Sequence, residues 1–355
     1  MVNLTIDGKQ IQAEPGMTIG IAAKSNGIEI PTFCFEKGLS KAGCCRICVV
    51  EVEGSRLLQA ACVAPVTEGM VVYTNSEKVI KSRKINLELL LANHKQDCLT
   101  CQKAGECKLQ EYAYKYGVSE SRFEGKKADF KLKDDNPFYT RDYNKCINCG
   151  KCIRACQEVQ MNDTYDFVDR GFNTHPDTPF EVSLEDEASP CVFCGNCVAV
   201  CPTGALTSKI YKGEFRTWDI QKKVQTTCTY CGCGCQLELN VIDNKVVRVS
   251  RDLSEKGPNE HGALCVKGRF GFDFINREDR LTDPLIKENG QFRKATWDEA
   301  LDKVAAKLQE ISKENGADSI QFLSSARTTN EENYLTQKLA RAVFKTNNVD
   351  HCARL

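Results

Sequence analysis

Residues 146–156 read CINCGKCIRAC, and residues 191–202 read CVFCGNCVAVCP. Each run places four cysteines with two, two and three residues between them. They are Cys146, Cys149, Cys152 and Cys156, then Cys191, Cys194, Cys197 and Cys201. The second run repeats the first, with an insertion between the two. Zinc ribbons use paired cysteines. Unbroken runs of four soft thiolates point instead to iron–sulfur clusters. Pro202 follows Cys201, whereas Gln157 follows Cys156.

The rest of the chain is also organised around cysteine. There are 22 in 355 residues, fewer than the 8–10% or so of small disulfide scaffolds. Length gives a prior of about two to three domains. The N-terminus, MVNLTIDGKQIQAEPGMTIG, has no basic n-region, apolar h-region or twin arginine. A cytoplasmic location with reduced thiols is therefore expected. No apolar stretch is long enough to predict a membrane span. The 48 basic residues balance 48 acidic ones, which argues against nucleic acid held by bulk charge.

Upstream of the runs, Val2–Ile6 and Gln10–Ala13 read as a hairpin around Asp7-Gly8, and Thr18–Ser25 as a short helix. Cys34, Cys45, Cys48 and Cys62 follow on a long loop. This pattern suits a β-grasp [2Fe-2S] ferredoxin, with a zinc site as the alternative. Ile85–Asn93 reads as a buried helix. After it comes His94-x3-Cys98-x2-Cys101-x5-Cys107. His94 stands on the flank where a fourth ligand is missing. Imidazole in place of thiolate removes a negative charge and raises a cluster's potential; a zinc site on the same histidine and three cysteines is the alternative. Downstream lie Cys228, Cys231, Cys235 and, thirty residues on, Cys265, with Cys233 as an extra thiol. Leu237–Val241 and Lys245–Ser250 alternate as two strands around Asp243-Asn244. Spacing alone does not separate iron–sulfur from zinc at this last set.

The two runs resemble the two-cluster bacterial ferredoxin, in which the fourth cysteine of each run ligates the other cluster. The resemblance pairs Cys201 with Cys146, Cys149 and Cys152, and Cys156 with Cys191, Cys194 and Cys197. Residues 1–215 as a whole resemble an electron-transfer region shared by three families. These are the large peripheral subunit of complex I, the [FeFe] hydrogenases and the NAD(P)-linked formate dehydrogenases. P-T-F-C…G-x-C-R-x-C-V-V-E-V at 31–52 and N-H-x3-C-L-T-C-x5-C at Asn93–Cys107 carry the likeness. Cys44 occupies the variable x of G-x-C-R-x-C and falls outside the ligand set. Thr227–Cys235 and Leu264–Phe270 resemble the opening of a molybdenum or tungsten bis-pterin oxidoreductase. That implies a [4Fe-4S] cluster on Cys228, Cys231, Cys235 and Cys265, with Lys267 between cluster and pterin.

Thr296–Glu299 reads as a capping box. Trp297, Leu301, Val304, Leu308 and Ile311 then recur at helical spacing, and Gly316 is a stop signal. Ser319–Leu323 reads as a buried strand, and Thr329 to Glu332 as a second capping box opening a helix to about Lys345. This is an α/β unit with a parallel sheet. Its loop Ser324–Asn330 runs from a strand's C-terminal end to a helix N-terminus, where phosphate-bearing cofactors bind. Arg327 is the candidate pterin-dinucleotide contact, with a structural surface arginine as the alternative. Residues 346–355 resemble the run before the metal-ligating selenocysteine or cysteine of formate dehydrogenases, one residue short of that ligand. The expectation is a selenoprotein parent whose record ends at the selenocysteine codon.

The expected fold is multidomain α+β. It comprises a [2Fe-2S] domain (1–78), a helical domain for the cluster on His94 and its three cysteines (79–135), a two-cluster ferredoxin (136–215), a bis-pterin-type [4Fe-4S] domain (216–280) and an incomplete α/β pterin-binding domain (281–355). The expected cofactors are one [2Fe-2S], four [4Fe-4S] and, in the parent, a Mo or W bis-pterin guanine dinucleotide. The expected function is the iron–sulfur electron-transfer region of a formate dehydrogenase, also able to reduce CO2; the segment itself lacks the metal ligand and catalytic histidine, so electron transfer without formate turnover is expected of it alone. Electrons would pass through Lys267, the bis-pterin-type cluster and the two ferredoxin clusters, then the His94 and [2Fe-2S] clusters. Flavin- and iron–sulfur-containing subunits, NAD(P) or ferredoxin would take them onward. The alternatives are a complex I-type subunit without Mo or W, a stand-alone electron-transfer subunit, or another bis-pterin enzyme. His175, His261 and His351 are assigned structural roles.

Overall fold

The computed structural model describes residues 1–254 and 256–352. The end of the run at 346–355, residues 353–355, lies outside the described residues. In the N-terminal unit, β1 (Val2–Ile6) and β2 (Lys9–Ala13) form the expected hairpin, and α1 (Ile19–Ser25) starts on its N-cap Thr18. β3 (Val49–Val52), β4 (Gln59–Ala60) and β5 (Met70–Tyr73) complete a mixed sheet of order β2-β1-β5-β3-β4, in which β5 runs parallel to β1. Leu4, Ile6, Ile11, Ile19, Val50 and Val72 form its core, and Cys48 and Cys62 are buried with them.

α2 (Glu77–Ala92) is longer than expected and is not a buried helix. It buries Val79, Arg83, Leu87 and Leu91 along one stripe, the four-residue repeat of one helix face, while Leu89 is 50% exposed. Arg83 is fully buried, and its terminal nitrogens find neutral partners: it donates to Val49 O (2.8 Å) and to the Tyr116 hydroxyl (2.9 Å). It thereby ties α2 to the sheet and to α3 (Lys108–Tyr116).

In the middle of the chain, β6 (Tyr139–Arg141) leads to α4 (Lys151–Arg154), which continues as a π-helical turn through Val159. The insertion forms β7 (Asp166–Val168) and β8 (His175–Asp177). Its anchor is a fully buried ion pair, Arg141 to Asp177 at 2.6 Å. α5 (Asn196–Val200) and β9 (Leu206–Ser208) follow, and β9 pairs with β6.

β10 (Lys222–Thr227), β11 (Gln236–Ile242) and β12 (Lys245–Arg251) make an antiparallel sheet, so the two expected strands gain a third. α6 (Val266–Phe270) packs on β12. β13 (Leu285–Glu288) and β14 (Gln291–Lys294) form a hairpin before α7 (Trp297–Asn315), β15 (Phe322–Ser325), α8 (Asn330–Lys338) and β16 (Val349–Cys352).

Three expectations for this last segment change. Thr296 accepts from Glu299 N (3.2 Å), but Glu299 turns its carboxylate to Arg293 instead of back to the cap, so only half of the first capping box forms. The apolar stripe of α7 is uncovered, with Trp297 69% exposed. The strand begins at Phe322 rather than Ser319 and is not buried: Leu323 is 72% exposed, while Ile320 just before it is buried. The parallel pairing of β15 with β16 and the second capping box, Thr329 with Glu332, are present. Among the described residues, no helix is long and apolar enough to cross a membrane.

Candidate metal centres

Strand register builds the first centre. Val49 pairs with Ala60, which sets Cys48, one residue before β3, beside Cys62, two residues after β4. The Cys34 thiol faces those of Cys45 and Cys62, and also that of Cys44. The hydrogen bond to Cys34, and then burial, push the Cys45 thiol up. Contacts with Cys34 and Cys48, and then burial, do the same to Cys62. Thiols this close cannot all ionise without a compensating cation, which iron supplies.

His94 is buried, and its Nδ1 has no hydrogen-bond partner. Burial, then the Lys145 charge, pulls its pKa down to about 4, so the ring is neutral and can donate a lone pair to a metal. It lines one cavity of about 310 Å³ with Cys98 and Cys107. Cys101 interacts with both of these thiols. An orphaned imidazole sharing a cavity with two thiols, both of which interact with the third, suits the expected set of one histidine and three cysteines. The centre abuts the ferredoxin-like unit so tightly that a Cβ on Gly204 would lie 2.5 Å from Cys101 Sγ. Arg216 clamps the loop by donating to Cys101 O (2.9 Å) and Leu99 O (2.8 Å).

The two four-cysteine runs adopt the same loop twice. Asn148 (φ 50°) and Phe193 (φ 52°) are each followed two residues later by a left-handed glycine, Gly150 or Gly195. Asn148 N donates to Cys146 Sγ at 3.3 Å, and Phe193 N to Cys191 Sγ at 3.4 Å. The fourth cysteine of each run lies within reach of the other run's thiols, as an exchange of fourth cysteines requires. Cys201 interacts with Cys146, Cys149 and Cys152. Cys156 interacts with Cys191, Cys194 and Cys197. Burial, then Cys201, pushes the Cys149 thiol up to about 11, again a set that needs a cation to ionise.

The last set occupies the β10–β11 turn, closed by Cys228 N to Cys235 O at 2.8 Å. Cys265 caps α6, and its thiol, with those of Cys231 and Cys233, interacts with Cys228. Cys233 Sγ is 3.6 Å from Cys235 Sγ, so the extra thiol stands beside the expected ligands. Cys231, Cys233 and Cys265 are exposed. Lys267 lies on α6, two residues past Cys265. Ser325, Asn333, Arg341 and His351 line a cavity of about 520 Å³ where β15 meets α8. The cavity meets α8 along its side, at Asn333, Tyr334 and Gln337, and not at its capped N-terminus; Arg341 is its cationic group and Asp350 its acidic one. Arg327 does not line that cavity; it acts on Tyr230 in the cysteine loop.

Among the described residues, no three His, Cys, Asp or Glu side chains form a single-ion cage. A cluster of several iron and sulfide atoms has a larger envelope than one ion.

The bridges between the centres were not named from sequence. Arg154 donates to Cys34 O (2.7 Å) and Cys149 O (3.0 Å). Arg269 donates to Cys194 O (3.3 Å) and Asn196 Oδ1 (3.1 Å). Lys145 pairs with Asp97 (2.9 Å) and Asp142 (3.3 Å) between the His94 and Cys146 loops. Glu36 pairs with both Lys151 (2.7 Å) and Arg251 (2.8 Å). Arg154 and Arg269 do lie inside or beside the cysteine motifs. No spacing rule, however, predicts that they reach across to a distant loop.

Family comparisons agree with this order of centres. Residues 1–77 match the 2Fe-2S iron-sulfur cluster binding domain family, and 83–122 the NADH-ubiquinone oxidoreductase-G iron-sulfur binding region. Residues 136–207 match the ferredoxin-like domain of NADH-quinone oxidoreductase subunit 3. Residues 221–277 match the molybdopterin oxidoreductase Fe4S4 domain, and 280–355 molybdopterin oxidoreductase. The whole chain is 42% identical to the G 2 subunit of NADH-quinone oxidoreductase from Rhizobium meliloti (strain 1021). It is 41% identical to the alpha subunit of the NADPH-Fe(3+) oxidoreductase of Geobacter sulfurreducens, and spans 40% of the length of each of these two relatives. A protein of Staphylococcus aureus (strain MRSA252), provisionally named a formate dehydrogenase, is 34% identical over 99% of the chain and 39% of its own length. The crystal structure of an NAD+-reducing [NiFe]-hydrogenase in the H2-reduced state aligns with a TM-score of 0.52 and 29% identity, covering 60% of this chain and 90% of that one. The chain thus carries iron–sulfur domains followed by the start of a molybdopterin oxidoreductase domain.

Proposed function

We propose that the chain is the iron–sulfur electron-transfer region of a cytoplasmic formate dehydrogenase. It would connect a Mo or W bis-pterin guanine dinucleotide centre with flavin- and iron–sulfur-containing subunits that react with NAD(P) or ferredoxin. The observation that carries this reading is the unbroken succession of residue sets. The Cys228 set meets the Cys191 set at Arg269. The Cys191 and Cys146 sets exchange Cys156 and Cys201. The Cys146 set meets the Cys34 set at Arg154 and the His94 set at Lys145 and Gly204.

In this reading Cys34, Cys45, Cys48 and Cys62 hold a [2Fe-2S] cluster. His94, Cys98, Cys101 and Cys107, the two exchanged ferredoxin sets, and Cys228, Cys231, Cys235 and Cys265 each hold a [4Fe-4S] cluster. The bis-pterin centre, when bound, supplies the conversion of formate to CO2, two electrons and a proton. Lys267, two residues past Cys265, would contact the pterin, and the Ser324–Asn330 loop, whose first three residues line the cavity by α8, would hold the dinucleotide. The likeness of 346–355 to formate dehydrogenases favours formate as the substrate.

Metal analysis of the full-length protein tests the reading. Molybdenum or tungsten with about 18 iron atoms per chain, and iron–sulfur electron paramagnetic resonance (EPR) signals that appear on adding formate, are the expected result. The second reading, a complex I-type subunit, is favoured by the whole-chain identity to the Rhizobium NADH-quinone oxidoreductase subunit. Full iron without molybdenum or tungsten, and signals that respond to NADH but not to formate, would replace the first reading with this one.

A further inference from the structure

The two ferredoxin-like halves treat their second cysteines alike. In the first, Cys149 O accepts from Arg154, whose same Nη2 also reaches Cys34 O in the N-terminal unit. The remaining donors of Arg154 go to Gly150 O (3.2 Å) and Ser40 O (2.5 Å). In the second, Cys194 O, the equivalent carbonyl, accepts from Arg269, which lies four residues after Cys265 and donates its own backbone N–H to Cys265 O (3.0 Å). Arg269 also binds Asn196 Oδ1, which in turn accepts from Leu264 N (3.2 Å). Gly195 makes the approach possible: a Cβ there would lie 2.6 Å from the Arg269 side chain.

The side-chain hydrogen bonds of both arginines go to amide carbonyl oxygens, those of Arg154 to Gly150, Ser40, Cys34 and Cys149 and those of Arg269 to Cys194 and the Asn196 side chain; Arg269 is only 5% exposed and Arg154 is half-buried. A guanidinium withdrawn from water and bonded to neutral carbonyls keeps its positive charge unpaired. Each charge sits where two cysteine sets meet. A cluster held by four thiolates is anionic and gains a further negative charge on reduction.

We propose that Arg154 and Arg269 are paired positioning residues, one at each end of the ferredoxin-like unit. Each fixes the separation between neighbouring clusters through the carbonyl of the second cysteine, and each stabilises the extra electron by its charge. The proposal rests on the electron-transfer reading above. Every transfer moves one electron from a reduced cluster to its oxidised neighbour, with no bond made or broken and no proton moved. Arg154 serves the Cys34 end and Arg269 the Cys228 end.

The test uses the full-length protein with Arg154→Gln, Arg154→Lys, Arg269→Gln and Arg269→Lys. Iron and sulfide are measured first, and each cluster is then titrated by EPR. With iron content retained, Arg154→Gln is expected to shift the [2Fe-2S] reduction equilibrium about tenfold toward oxidation, about 59 mV for one electron, and to change its magnetic coupling to the neighbouring cluster. Arg269→Gln should leave the [2Fe-2S] equilibrium unchanged and shift the clusters near Cys194 and Cys228. The Lys variants keep the charge and should hold the equilibria within about threefold while altering the coupling. If Gln variants with full iron show unchanged equilibria and coupling, or if either substitution acts equally at both ends, the proposal is overturned. A wild-type protein without iron and sulfide would overturn the electron-transfer reading itself.

Discussion

Glu36 and Arg251 are 215 residues apart in sequence, and their carboxylate and guanidinium are 2.8 Å apart. The other carboxylate oxygen of Glu36 holds Lys151 at 2.7 Å. One side chain therefore joins the N-terminal unit, the ferredoxin-like unit and the β10–β12 unit. Burial alone would push the Glu36 carboxyl up, but Lys151 and Arg251 hold it below its usual value.

Glu36→Gln leaves two cations facing a neutral amide. The expected cost is about 1–3 kcal/mol, read as a lower melting temperature and faster proteolysis between the units. Because the folded pKa is depressed, this stabilisation is fully present above the ordinary glutamate pKa of about 4.3. It is lost as the pH falls through the depressed value. The wild-type and Glu36→Gln melting curves should converge in acid; a gap that persists there would contradict the role given to Glu36.

His94→Ala should remove about four iron atoms per chain and leave the other centres intact. His94→Cys should restore the iron but lower that cluster's potential, since a thiolate adds a negative charge. Iron assay and EPR titration read both outcomes.

Exchange of the fourth cysteines makes Cys201→Ala selective. The centre of Cys146, Cys149 and Cys152 should be lost, while that of Cys191, Cys194 and Cys197 survives. Cys156→Ala should do the reverse. Loss of the cluster in the substituted residue's own run would show that the exchange is absent.

Gly204→Ala would place a methyl 2.5 Å from Cys101 Sγ. The expected cost is about 1–3 kcal/mol, with the His94 centre the most affected in its EPR signal. Gly125→Ala, where nothing lies within 4 Å, is the neutral control.

Cys44→Ser should keep the [2Fe-2S] absorption spectrum, whereas Cys45→Ser should abolish it. The Cys34 thiol faces both residues, so proximity alone does not choose between them.

Legibility divides by range. The first hairpin, the cysteine spacings and the helix caps are local, and the residue pattern reveals these elements while missing some edges. It places β15 three residues early because Ile320, Phe322 and Leu323 are apolar, whereas the backbone first turns through a short 3-10 segment at Ala317–Ser319. It makes α2 look buried because a run of leucines hides the single-face stripe of Val79, Arg83, Leu87 and Leu91. The α7 stripe is legible as a helix but not as uncovered, because cover depends on what packs there.

The sequence by itself determined which residues could be ligands. Coordination demands donors of one chemical kind at short fixed spacings, and those spacings are written along the chain. Only the tertiary structure decided which sets are neighbours and what stands between them. Arg154 meets Cys34 across 120 residues and Arg269 meets Cys194 across 75. No local pattern encodes such meetings; they arise when several packed units bring a charge of one unit to another unit's carbonyls.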